Sequence, residues 1–268
     1  APLALVTLRF LQGIGVGGEW GGAVLLALET GHRGKRGFYA SCPQAGVPLG
    51  LLISTGVFAA FAGGLSDEAF LSWGWRIPFL LSAVLIVVGL LIRIWIAESP
   101  LFSQIKNEDR VARMPVVEVL RHNYREILLG AGSRIGENAC FYVFAMYVLS
   151  YGENVLKIDR SLVLTAVMWG AAGAIVSIPL FGFLSDIWSR KGLYLAGNGL
   201  LLLFAFPYFA LLENRTVGSI MLATIVALAV VHAMLYSVQA SLLPELFSTR
   251  LRYTGASLSY QLAGPIAG

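Results

Sequence analysis

The chain has 268 residues, 57% of them hydrophobic and only 13% charged, with a net charge of +4. An ordinary soluble domain is about a quarter charged, whereas apolar stretches of the ~20 residues needed to cross hydrocarbon recur along this sequence. These figures exclude a single soluble core and make lipid the solvent; the two cysteines, Cys42 and Cys140, sit in or beside apolar segments and exclude a disulfide framework.

The pattern predicts an all-α polytopic membrane protein with seven full spans and part of an eighth. They run over roughly 2–29, 39–64, 76–97, 127–151, 161–185, 192–212 and 217–242, then from 253 to the end. The chain opens in an apolar run without a basic leader and closes inside another, so both ends read as truncations.

In the first span Arg9, Gln12, Gly13 and Val16 share one face by helical spacing. Glu19 lies ten residues on from Arg9, roughly 15 Å along the axis, too far for a direct pair. Gly13, Gly17 and Gly21, echoed by Gly18 and Gly22, form a ridge of small residues of the kind that lets helix backbones approach. The turn GHRGKRG leads to the second span, and GGLSDEAFLSWGW to the third. A charge-rich link, 98–126, follows, and its stretch from Pro115 to Arg125 reads as a short helix on the membrane surface.

The fourth span carries Arg134 and Glu137, three apart and spaced to satisfy each other. Between the fifth and sixth spans, Asp186 precedes Arg190 and Lys191 in a tight basic turn. Asp186 is placed to cap a neighbouring helix and Arg190 to bridge to an acid elsewhere. The seventh span carries His232 and Tyr236 one turn apart, either as a hydrogen-bonded core pair or as cavity-lining contacts.

Loop charges alternate along the chain. Arg33, Lys35, Arg36, Lys106, Arg110, Arg113, Arg121, Arg125, Arg190, Lys191, Arg250 and Arg252 stand against Arg76, Lys157, Arg160 and Arg215. The positive-inside bias therefore puts the loops at 31–38, 98–126, 186–191 and 244–252 in the cytoplasm. An internal echo agrees. Glu29 and Arg36 precede Gln44-Ala45-Gly46 much as Glu245 and Arg252 precede Gln261-Leu262-Ala263-Gly264, as expected for parallel repeats about an axis along the membrane normal.

A charge in the bilayer centre costs about 2.5–3.5 kcal/mol on insertion scales, so each one kept is a candidate for function. Glu19 and Glu137 are candidate proton sites, with a structural ion pair as the plainer reading of each. Arg9, Gln12, Arg134, Tyr142, His232 and Tyr236 are candidate substrate contacts, and the two arginines suit a carboxylate, which a guanidinium holds by two parallel hydrogen bonds. Asp186, Arg190, Lys191, Glu245 and Arg252 are candidates for a latch holding one conformation. No P-loop, HExxH, CxxC or GxSxG occurs, so an ATP-driven pump, a metal site and an enzyme are not expected, nor are a cofactor or a nucleic-acid partner.

Two segments resemble signatures of the major facilitator superfamily. Gly182 to Lys191 resembles its cytoplasmic-loop motif, with Ser189 where a glycine is usual, which implies a less sharp turn. Arg9-Phe10-Leu11-Gln12-Gly13 resembles its fourth-helix motif. Within the superfamily the chain is similar to the metabolite:proton symporters. The similarity rests on Gln12 to Gly22, Gly74-Trp75-Arg76-Ile77-Pro78-Phe79, Glu98-Ser99-Pro100-Leu101-Phe102, Pro244-Glu245-Leu246-Phe247, Arg250 and Arg252-Tyr253-Thr254-Gly255. The resemblance implies helices four to six in 1–97, the central loop in 98–126, and helices seven to ten with part of eleven in 127–268. It also implies proton-coupled symport of a small organic acid or zwitterion by alternating access. A sugar-porter-like carrier, a uniporter or antiporter, and a non-transporting receptor are the alternatives.

Overall fold

The structure, a computed structural model, describes residues 2–32, 34–95 and 114–267. Arg33, most of the central link with Lys106, Arg110 and Arg113, and the stretch Glu98 to Phe102 lie outside the described residues. Helices stand at all eight places where the sequence predicts spans, and no strand occurs among the described residues. They are α1 (Pro2–Thr30), α2 (Arg36–Gly64), α3 (Asp67–Ala69) with a π turn (Phe70–Gly74), and α4 (Arg76–Trp95). After the link come α5 (Pro115–His122) and α6 (Tyr124–Tyr142), which runs through a π segment (Val143–Tyr147) into α7 (Val148–Asn154). Then follow α8 (Arg160–Ile187), α9 (Arg190–Glu213), α10 (Val217–Val226), a π segment (Ala227–His232), α11 (Ala233–Glu245) and α12 (Arg252–Ala267). Four helical stretches are by themselves long and apolar enough to cross a membrane, and a fifth if Asp67–Gly74 and Arg76–Ile92, bent by 43°, count as one.

The ends differ from the sequence expectation for local reasons. Helix α2 starts at Arg36 rather than 39, because the Asp186 carboxylate accepts hydrogen bonds from the amides of Gly37 (2.7 Å) and Phe38 (3.0 Å) and so satisfies its first turn. The turn before α9 is tight, contrary to the reading of Ser189 as a softer substitute for glycine. Only Trp188 and Ser189 separate α8 from α9, and the extended Ser189 accepts from the Gly192 amide at 3.1 Å. A serine caps a helix at the place where glycine would only have turned the chain. The short helix expected after Pro115 is present, with Val119 buried against Ile127, Phe247 and Leu251.

Apolar surface confirms the solvent. Leu202, Leu203 and Phe206 on α9 are 75%, 76% and 86% exposed, and α4 shows the same along most of its length. Exposure on that scale is tolerable only against lipid or further helices.

Helices from the two sides of the link meet along small residues. A Cβ added at Gly37 would lie 2.6 Å from the Gly182 carbonyl, and one added at Gly182 would lie 2.7 Å from that of Gly37, so the backbones of α2 and α8 touch there. The predicted glycine ridge of α1 is used along its second half only. Gly18 and Gly22 face Tyr253 and Gly21 faces Ser257, both on α12, while nothing lies within 4 Å of a Cβ at Gly13. The turns just before α2 and α9 and the turn at 246–251 gather at one end, where Arg190 pairs with Glu245 and with Asp186 at 3.4 Å, and Arg250 with Glu118 at 3.0 Å.

Two outcomes follow from this packing. Gly182→Val is expected to destabilise the full-length protein by about 1–3 kcal/mol in a detergent melt, as overpacking does. Gly199→Ala, with nothing within 4 Å, is expected to be silent. At the start of α8, the hydroxyl and amide of Ser161 donate to Asp159 and hold its carboxyl below the ordinary carboxylate value. A carboxyl lowered by folding stabilises the fold above its unfolded value and loses that contribution as pH falls through the folded one. The melting difference between wild type and Asp159→Ala is therefore expected to be full at neutral pH and to shrink as pH falls below the ordinary carboxylate range.

Candidate functional site

Five helices bring polar side chains to one buried cluster: α1 and α2 from before the link, and α6, α11 and α12 from after it. Glu137 on α6 is 2% exposed, and its Oε1 lies 2.7 Å from Nε2 of His232, itself buried, at the end of the π segment leading into α11. The ring of His232 stacks on Tyr236 with centroids 5.1 Å apart and lies 5.0 Å from Phe141. The Tyr236 hydroxyl meets that of Tyr260 on α12 at 3.2 Å.

Arg134 corrects the sequence reading. Spacing made Glu137 its partner, but Glu137 turns to His232, and the guanidinium lies over the Tyr260 ring, 3.2 Å from its centroid. Arg134 is 7% exposed, yet its Nε and Nη1 have no hydrogen-bond partner among the described residues, and neither does Glu137 Oε2. A buried cation edge and a buried carboxylate oxygen left open are costly unless something else occupies them.

Tyr260 is also stacked by Trp20 of α1, with centroids 3.7 Å apart and planes 15° from parallel. The Trp20 indole N–H donates to Gln44 Oε1 at 2.7 Å, and Gln44 Nε2 donates to the Tyr236 carbonyl at 3.1 Å. Gln261 completes the echo by donating to the Gly17 carbonyl at 3.3 Å. Each member of the Gln44 and Gln261 pair thus reaches across to the helices on the other side of the link. A third tie lies behind Arg134, where the Tyr194 hydroxyl donates to the Ser133 carbonyl at 2.5 Å and accepts from Gln239 Nε2 at 3.1 Å.

Beside His232 and Tyr236 lies a small apolar cavity, walled by Phe141, Ala174 and Leu228 and, from α2, by Val47 and Pro48. The two π segments, Val143–Tyr147 and Ala227–His232, flank it. Such segments recur at functional sites, because the extra residue per turn frees a carbonyl and re-aims side chains.

The other sequence candidates fall elsewhere. Arg9 donates to Gln12 at 3.0 Å, both exposed, and makes no contact with the cluster. Glu19 is exposed on α1, about 100° round the helix from Trp20, with no ion pair or hydrogen bond among the described residues. Tyr142 is 42% exposed and packs edge-on against Phe141. At the basic end, Asp186, Arg190 and Glu245 form the contacts given above, Arg252 Nε donates to the Pro244 carbonyl at 3.2 Å, and Lys191 is exposed. Trp20, Gln44 and Tyr260 are not among the site candidates that the sequence offers. Gln44 was visible only as a member of the echo, and an aromatic residue in a span carries no signal of its own.

Known proteins match along the whole length. The chain is 37% identical to the shikimate transporter of Escherichia coli over 270 residues, covering 100% of this chain and 62% of that protein. It is 36% identical to the E. coli inner membrane metabolite transport protein YhjE over 98% of this chain and 61% of the relative. It is 31% identical to the proline/betaine transporter of Salmonella typhimurium over 100% of this chain and 55% of the relative. The chain therefore spans about 60% of the length of the curated relatives it matches. No solved structure matches. The family is one of polytopic helical membrane proteins, and the names of these relatives are those of transporters. With residues 1–268 all matching its pattern, the chain belongs to the Major Facilitator Superfamily.

Proposed function

We propose that the full-length protein is a secondary active transporter that moves a small carboxylate-bearing metabolite together with protons across the inner membrane by alternating access. The observation that carries this reading is the cluster of Arg134, Glu137 and His232, three buried ionisable side chains where helices from both sides of the link meet. In this proposal α1 to α4 belong to one half of the carrier and α6 to α12 to the other, joined by a cytoplasmic link at 98–126.

The chemistry divides between the groups. The open edge of Arg134 takes a carboxylate by parallel charge-assisted hydrogen bonds. Glu137 and His232 hold one hydrogen bond at 2.7 Å, so adding or removing a proton there changes the charge beside the bound anion by one. Rocking of one half against the other then exposes the site to each side in turn. Glu19 and Arg9, outside the cluster, have no share in this step. The alternatives of sugar transport, proton-independent exchange and a receptor leave the buried acid and cation without a task.

At the basic end, Asp186 and Arg190 form a latch. The Asp186 side chain, 5% exposed, caps the amides that open α2, and Arg190 ties the same turn to Glu245. These bonds hold the cytoplasmic side closed, and breaking them opens it.

Two measurements test this reading. In liposomes containing the full-length protein, an inward proton gradient is expected to drive accumulation of a carboxylate from a panel of hydroxy acids, dicarboxylates and betaines. Glu137→Gln is expected to lose at least about tenfold of that accumulation while keeping exchange, and Glu19→Gln to accumulate as wild type does. Uptake that merely equilibrates, whatever the gradient, would contradict proton coupling. For the latch, Ser185→Cys, buried beside Asp186 and made in a Cys42→Ala, Cys140→Ala background, should react slowly with an impermeant thiol reagent from the cytoplasmic side. Adding Asp186→Ala is expected to speed it about five- to thirty-fold, the equivalent of a lost cap worth ~1–2 kcal/mol. An unchanged rate would show that the latch does not hold the closed form.

A further inference from the structure

The open atoms of the cluster define a ligand more narrowly than "carboxylate". Arg134 leaves Nε and Nη1 without a partner, and Glu137, three residues on along the same face of α6, leaves Oε2 without one. Three residues of helix are about 4.5 Å of rise. One open position is a cationic donor edge and the other an anionic acceptor. The acceptor is fixed in place, because its sister oxygen is held by His232.

Resting on the transport reading above, we infer that Arg134 and Glu137 form one two-ended site for a ligand carrying a carboxylate and, at its other end, an O–H or N–H donor. The carboxylate lies against the guanidinium edge and the donor meets Glu137 Oε2. Hydroxy acids and primary amino acids satisfy both ends. A plain carboxylate leaves Glu137 Oε2 unpaired, and a quaternary ammonium has no hydrogen to give it. The discrimination comes from the penalty on a buried polar atom that the wrong ligand covers without pairing, the strongest form of selectivity a polar site has.

Access is controlled by the stack on top of the site. Tyr260 covers the face of Arg134, and Trp20 of α1 covers Tyr260. Parting α1 from α12 removes Trp20 and frees Tyr260 to swing off the guanidinium, so the open site belongs to a conformation in which these two helices separate.

A matched four-carbon series tests the inference by titration calorimetry on the purified full-length protein: butyrate, 4-hydroxybutyrate, 4-aminobutyrate and 4-trimethylammoniobutyrate. The hydroxy and amino compounds are expected to bind roughly 10- to 100-fold more tightly than butyrate and the trimethylammonium compound. Glu137→Gln, which keeps an oxygen for His232 and turns the open acceptor into a donor, is expected to erase the preference for the amino compound, which can only donate, while the hydroxy compound, whose oxygen can accept, keeps its advantage. Equal affinity for all four in the wild type, or no binding of any, overturns the inference. The liposome panel separates the two failures. Accumulation of some carboxylate there with no donor preference here sinks only the two-ended site. No carboxylate uptake at all sinks the transport reading with it.

Discussion

A charge buried in a low-dielectric interior must be paired, hydrated or put to use, and this fold is arranged around that constraint. Insertion of an arginine, a glutamate and a histidine into membrane helices costs several kcal/mol in total by any scale. The protein recovers part of that cost through the Glu137–His232 hydrogen bond and the Arg134–Tyr260 contact. It leaves the remainder open at Arg134 Nε and Nη1 and at Glu137 Oε2. A structural ion pair would have been built the simpler way, with the arginine and glutamate of one helix turn closing on each other. In the proposed mechanism, their separation into two incomplete arrangements keeps both charges available to a ligand.

The packing around the cluster serves two opposed needs. Small residues let helices from the two sides of the link touch, Gly37 against Gly182 and Gly18 and Gly21 against α12, so little apolar interlocking has to be undone when they part. What holds them is polar and localised: the Asp186 cap on α2, Gln44 between Trp20 and Tyr236, and Gln261 on Gly17. Each of these bonds can be exchanged for water or ligand at modest cost. The two π segments lie in the helices that carry Glu137 and His232, placing departures from regular winding next to the groups that change partners in the proposed cycle.

Much of this was legible in the sequence, and the division follows physical lines. Spans, their order and the basic end depend on composition and local charge, which a linear reading captures. The Asp186 turn was visible because an acid ahead of two cations between apolar runs has few other uses. Glu137 and His232 were picked out singly, since each is an ionisable residue in a span, but their pairing is a contact across 95 positions that no local pattern encodes. For the same reason, i,i+3 spacing pointed Arg134 to the wrong partner, because helical proximity is only one option when a neighbouring helix offers an imidazole and an aromatic face. Trp20 and Tyr260 matter through stacking, which depends entirely on how α1 meets α12. Glu19 drew attention as a carboxylate in the first span, yet its neighbour Trp20, about 100° further round the helix, is the residue that faces the cluster.

The central claim is that ligand binding at Arg134 and proton binding at the Glu137–His232 pair are one event. Proton uptake per ligand bound tests it most directly. Binding heats of a transported carboxylate to the purified full-length protein would be compared, at one pH, in buffers of different ionisation enthalpy, for wild type and Glu137→Gln. The account predicts a heat that varies with the buffer in wild type, corresponding to up to one proton taken up per ligand, and a heat independent of the buffer in the variant. Buffer-independent binding in the wild type across the pH range from 5 to 8, in which a histidine ordinarily titrates, would contradict it.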